Sequence, residues 1–265
     1  FSWGQSGSAV PNYRAWDPPT WGGISNAQSA TTVIRYIITR ACPVFRNEKL
    51  TVIQSGGGTE PDGRVYIQRW NSSAWGGMGT YNPNTQLNST LFQSAYRAVD
   101  LAYEQTTGRS MLVYYNGTAG YVNYKIWSAT AAAWVDESTT TVDVGTLHPA
   151  YWVRLEPQPG SNRIMLTVLD SNRDLCSVIW TGTAWTNLRQ NTAAGVNVNT
   201  KQCYDIAWEK TAGRCMVLWG YGTTTPGTRY DMYSSTANAW TSIAENGSAI
   251  GATTNGPGWM KLVAN

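Results

Sequence analysis

The sequence predicts an all-β protein: a five-bladed β-propeller of about 50-residue, four-stranded blades, the last blade shared between the N- and C-terminal segments. Three observations carry this. A Trp-turn-Trp motif recurs five times along 265 residues at near-constant spacing. The same succession of strand-like runs precedes each copy. Composition also favours sheet, since charged residues make up 13% of the chain while 14 Trp and 15 Tyr stand beside only 3 Phe. Aromatics and Thr fit a pleated surface, and the abundant Gly and Asn fit turns.

The motif reads "YRAWDPPTW" ending at Trp21, "IQRWNSSAW" at Trp75, "YKIWSATAAAW" at Trp134, "SVIWTGTAW" at Trp185 and "DMYSSTANAW" at Trp240, at intervals of 54, 59, 51 and 55 residues. The first strand of each unit is "IRYIITR" from Ile34, "AVDLAYE" from Ala98, "WVRLEP" from Trp152, "CYDIAWE" from Cys203 and "WMKLVAN" from Trp259. Its hairpin partners begin at Leu50, Met111, Met165 and Met216. The turns between them, such as "EQTTGRS" and "EKTAGRC", carry Gly where a positive φ is commonly needed. The runs are apolar on both faces, as strands packed between neighbouring sheets should be. The two aromatics of each motif flank the outer hairpin, so their rings belong in the cleft between adjacent blades, each burying about 150–250 Å².

One domain, 1–265, therefore divides into blades at about 31–80, 94–140, 149–190 and 201–245, with a composite blade from 256–265 and 1–25. Ring closure falls to Phe1, Ser2 and Trp3 on one side and Trp259, Met260, Lys261, Leu262 and Val263 on the other. The composite blade lacks the connection between its first two strands. Either the ring closes on itself, or the C-terminal strand completes the open blade of a neighbour and builds a homopolymer by strand addition.

A net charge of +3 without any basic run argues against nucleic acid as a partner. No apolar run approaches the roughly 18 residues of a membrane span, and the opening "FSWGQSG" has no signal-peptide character. Cys42, Cys176, Cys203 and Cys215 show no CxxC spacing and His148 is the only histidine, so neither a metal nor another cofactor is expected. Disulfides and buried free thiols both remain open for these cysteines. Nucleophile-elbow, HExxH and phosphate-loop motifs are absent, and "SGGGTEPDG" from Ser55 reads as an inter-strand loop. Aligned first strands put Ile37, Asp100, Arg154, Asp205 and Lys261 in one column. The alternating charges of Asp100, Arg154, Asp205 and Lys261 read as a structural ion-pair ring about the axis. A glycosidase would instead need one carboxylate kept protonated. Catalysis is not expected, and no catalytic residue is assigned.

The strands "RVYIQRW", "VNYKIW" and "TRYDMY" resemble the "RVYYQ" strand of fucose-binding propeller lectins. That resemblance implies sugar pockets at blade junctions, with Trp70, Trp127, Trp180 and Tyr233 as the glycan-contacting aromatics. The positions that follow read "SAWGG", "AAWVD" and "NAWTS", without that family's sugar-contacting Glu. The whole repeat, as in "AVDLAYEQTTGRSMLVYY", is similar to tandem propeller repeats of large secreted or surface-anchored bacterial proteins. This implies an extracellular or cell-surface protein whose partners are itself or surface glycans. The function expected is a non-enzymatic structural or interaction module, self-assembly into a fibre or scaffold being its sharpest form. A carbohydrate-binding lectin is the alternative, and a glycan-active hydrolase the third.

Overall fold

Strands form where the sequence sets its apolar and aromatic runs, and they pair in chain order. The computed structural model describes residues 2–3, 10–17, 19–27, 34–55, 64–76, 85–88, 96–135, 140–222, 226–241, 247–252 and 257–263. The first blade runs from an inner strand Ile34–Ala41 through Glu48–Ser55 and Val65–Asn71 to an outer edge in two pieces, Trp75–Gly76 and Thr85–Asn88. The second repeats this as Val99–Tyr103, Ser110–Tyr114, Tyr121–Ser128, and outer pieces Ala133–Trp134 and Thr140–Asp143. In the third, Ala150–Pro157, Ile164–Asp170 and Leu175–Trp180 are followed by an unbroken outer strand, Trp185–Thr192. The fourth comprises Tyr204–Trp208, Arg214–Tyr221, Gly227–Ser234, Ala239–Trp240 and Ser248–Ala252. All these pairings are antiparallel. The described residues contain no helix.

The central strands of the blades are buried on both faces, which accounts for the weak alternation of the sequence. Every residue of Ser110–Tyr114, Ile164–Asp170 and Leu175–Trp180 is buried. Inner strands pack against one another in succession: Val99–Tyr103 lies between Ile34–Ala41 and Ala150–Pro157, and the latter lies against Tyr204–Trp208. The backbone N–H of Val153 donates to Arg97 O across that boundary at 3.1 Å. Cys42, Cys176, Cys203 and Cys215 are buried and unbridged.

The ends of the chain lie on the first and fourth blades. Ser2–Trp3 pairs with Asn12–Tyr13, which pairs in turn with Ser25–Asn26; a hairpin of Trp16–Asp17 and Thr20–Trp21 lies between. Ser2 Oγ meets Thr39 Oγ1 of the first blade at 2.6 Å. At the other end Trp259–Val263 forms no named strand. Its Leu262 N–H donates to Asp205 Oδ2 at 2.7 Å, as Leu155 N–H donates to Asp100 Oδ2 at 2.9 Å. The C-terminal segment thus meets the fourth blade as the inner strand of the third meets the second. Among the described residues Ser2–Trp3 and Trp259–Val263 share no ladder. Phe1 and residues 56–63, expected from sequence to be an inter-strand loop, lie outside the described residues.

Candidate functional site

The Trp-turn-Trp hairpins fold as mutual cross-strand pairs: Trp70↔Trp75, Trp127↔Trp134, Trp180↔Trp185 and Tyr233↔Trp240. Their ring centroids are 5.5–5.7 Å apart, within the range of favourable edge and tilted aromatic contacts. Strand parity turns the first aromatic of each pair toward the preceding sheet. There Trp127 Nε1 donates to Glu48 Oε1 of the first blade at 2.9 Å, and Trp180 Nε1 donates to Glu104 Oε1 of the second at 2.8 Å.

Each of these glutamates also holds an arginine of its own blade. Glu48 Oε2 accepts from Arg69 Nε at 3.1 Å and Nη2 at 2.8 Å. Glu104 accepts from Arg109 Nε and Nη2, both at 2.8 Å, and from the Thr107 hydroxyl. Both carboxylates are nearly inaccessible, 4% and 1% exposed, so the indole and guanidinium donors replace the water they have lost. The Arg69 guanidinium also lies over the Trp127 ring, 5.3 Å from its centroid. The two junctions differ in closure. At the second, Arg109 Nη2 reaches Gly182 O at 2.5 Å. At the first, a cavity of about 200 Å³ opens beside Glu48 and Arg69, bordered by Asn47, Trp70, Asn71 and Ala129.

A third kind of junction joins the N-terminal sheet to the first blade. Tyr13 stands 5.7 Å from Trp70 and 6.0 Å from Trp75, repeating the cluster of Tyr124 with Trp180 and Trp185 at 6.0 and 5.5 Å. Here the first aromatic, Trp70, stays half-buried instead of buried. A cavity of about 300 Å³ opens against it.

The charged column assembles in part. Arg154 Nε lies 2.9 Å from Asp205 Oδ1, and Lys261 Nζ 3.4 Å from Asp205 Oδ2. Asp100 meets Arg40 at 3.5 Å and Arg97 at 3.8 Å, and Arg154 Nη2 donates to Glu156 Oε2 at 3.0 Å. Burial works to lower the Arg154 pKa, but the Asp205 and Glu156 carboxylates outweigh it and the net shift is upward. Burial raises that of Glu156. Of the aromatics singled out from sequence, Trp127, Trp180 and Tyr233 are buried and Trp70 borders both cavities. Of the end residues, Ser2 meets the first blade while Lys261 and Leu262 meet Asp205. Trp259 and Val263 are exposed.

Sequence reasoning missed the glutamates. Glu104 and Arg109, like Glu209 and Arg214, were legible as a repeated Glu-x4-Arg within "EQTTGR" and "EKTAGR", where Gly108 and Gly213 drew attention to the turn alone. Glu209 and Arg214 do pair, at 2.7 Å, but on the exposed rim.

Comparison with solved structures decides the fold. BP39L lectin from Burkholderia pseudomallei superposes with a TM-score of 0.57 at 13% identity, over 94% of this chain and 69% of its own. The fold is a β-propeller. SapL1 lectin in complex with alpha methyl fucoside aligns at 11% identity and a TM-score of 0.45, over 90% of this chain and 76% of that one. The catalytic domain of the Coprinopsis cinerea GH62 alpha-L-arabinofuranosidase aligns at 12% and 0.43, over 80% and 69%. No family model matches the chain, and no curated protein matches it. Among the described residues no helix is long and apolar enough to cross a membrane.

Proposed function

We propose that this propeller is a non-catalytic glycan-binding module that takes saccharides at its blade junctions. One observation carries the reading: the Glu48–Arg69–Trp127 cluster, repeated as Glu104–Arg109–Trp180, borders an open cavity at its first occurrence. Glu48 fixes the Arg69 guanidinium, which stays partly exposed and can donate to sugar hydroxyls, and the exposed Phe45 ring on the same cavity offers a flat face to sugar C–H groups. Both polar groups are held by their neighbours before a ligand arrives, so little ordering remains to be done on binding. Asp100 and Asp205, the carboxylates a hydrolase would draw on, are instead bound to backbone N–H groups and to cations.

A fifth blade built from both chain ends is supported by the Tyr13 cluster, which imitates that of Tyr124, and by Leu262 at Asp205, which imitates Leu155 at Asp100. Both ends then rest on their own ring, which favours closure over strand donation. Glycan binding suits display at the cell exterior, where polysaccharides are met. A glycan array followed by titration calorimetry tests the proposal. A saccharide hit should weaken about tenfold in Asn47→Ala and in Phe45→Ala. An array without hits, or hits indifferent to both substitutions, would sink it.

A further inference from the structure

We infer that the cavity between the N-terminal sheet and the first blade is a separate site, selective for a carboxylated or sulfated pyranose. Its walls are aromatic: Tyr13, Trp21 and Trp70 border it, and Trp21 is 52% exposed. Two cations stand at these rings. Arg14 lies 5.9 Å from the Trp21 centroid, and Lys49 lies 6.0 Å from the Trp70 centroid. None of the described residues lining it is acidic. Glu48, the nearest carboxylate along the strand, points from the opposite face of the sheet because successive side chains alternate. Lys49 enters no ion pair among the described residues.

The departure from the repeat is what makes this a site. At the next two junctions the first aromatic of the hairpin is sealed by a glutamate of the preceding blade. Here the preceding sheet brings Tyr13 and Arg14, so the ring of Trp70 stays partly open and the local charge is positive where glutamate and arginine cancel at the next two junctions. A flat aromatic surface beside two cations matches a pyranose whose C–H face stacks and whose anionic group meets Lys49 and Arg14. The hydroxyl pair of Ser2 and Thr39 borders the same cavity and offers further hydrogen bonds.

The test is saturation-transfer NMR and titration with methyl glucuronide, methyl glucoside and inorganic sulfate. Methyl glucuronide should bind at least about tenfold more tightly than methyl glucoside. Its affinity should fall with added salt and drop about tenfold in Lys49→Gln and again in Trp21→Ala, both on folded protein of unchanged melting temperature. Equal binding of the neutral sugar, sulfate binding as tight as the glucuronide, or indifference to both substitutions would overturn the inference. Asn47→Ala, in the other cavity, should leave glucuronide binding unchanged. An array empty of neutral glycans would then remove the proposed function without touching this site.

Discussion

Glu104 shows how much of a junction can rest on one side chain. Its carboxylate is 1% exposed and bound by Arg109, Thr107 and, from the next blade, Trp180. Glu104→Ala leaves the indole N–H with no acceptor and Arg109 with Gly182 O alone, and unfolding in urea should show a loss of about 3 kcal/mol. Glu104→Gln keeps an acceptor for the indole and should lose less. Asp170 offers a test in pH. It is buried, and burial together with the Asp174 charge raises its pKa to about 6, although the Thr146 hydroxyl and the N–H groups of Asn172 and Asp174 oppose the rise. Because the folded value lies above the ordinary carboxylate range, the folded state binds a proton that the unfolded chain releases. Stability from this group is therefore gained as pH falls through 6 and is absent above it. Asp170→Asn removes that dependence, so the melting temperature of the parent relative to Asp170→Asn should be higher at pH 5 than at pH 7. A constant difference would show that Asp170 titrates normally.

At the level of hairpins, sequence and structure agree most closely where geometry is local. The turn glycines were legible from spacing alone: Gly108 and Gly213 adopt φ of +70° and +64°. What the neighbours of Gly108 would do was not legible. A Cβ there would meet Phe45 Cε2 at 2.9 Å and Cys42 Sγ at 3.1 Å, whereas one at Gly160, with φ of +65°, would meet nothing within 4 Å. Gly160→Ala should therefore cost only the left-handed backbone term of about 1–2 kcal/mol, and Gly108→Ala measurably more in the same denaturation assay. The outer strands also departed from the simple pattern of one strand per position. In three blades the described outer edge consists of two pieces, with residues 77–84, 136–139 and 242–246 between them outside the described residues. Among the described residues the third blade alone shows a continuous outer strand, with register shifts along it.

For the whole molecule, Asp205 ties the chain's end to its body. Arg154, Lys261 and the Leu262 N–H converge on its carboxylate. Asp205→Ala should cost about 2–3 kcal/mol, since it removes the acceptor of the Leu262 N–H and leaves the half-buried Arg154 guanidinium with Glu156 alone. Removing the chain from Trp259 onward should cost less, because Arg154 keeps Asp205. Light scattering at high concentration should then show a monomer for the parent and no gain in mass on truncation; polymers abolished by the truncation would restore the strand-donation expectation.

By itself the sequence determined the all-β class, the spacing of the units and the aromatic pair of each outer hairpin, because these follow from patterns that repeat every fifty or so residues along the chain. It also set Asp205 and Lys261 in one repeat column, and the two lie 3.4 Å apart although Trp259–Val263 forms no strand. Tertiary structure alone decided which carboxylates matter at the junctions. Trp127 lies 79 residues from Glu48 and Trp180 lies 76 from Glu104. Nothing local marks such a pair, and only the packing of one blade's hairpin against the edge of the blade before it brings donor and acceptor into contact.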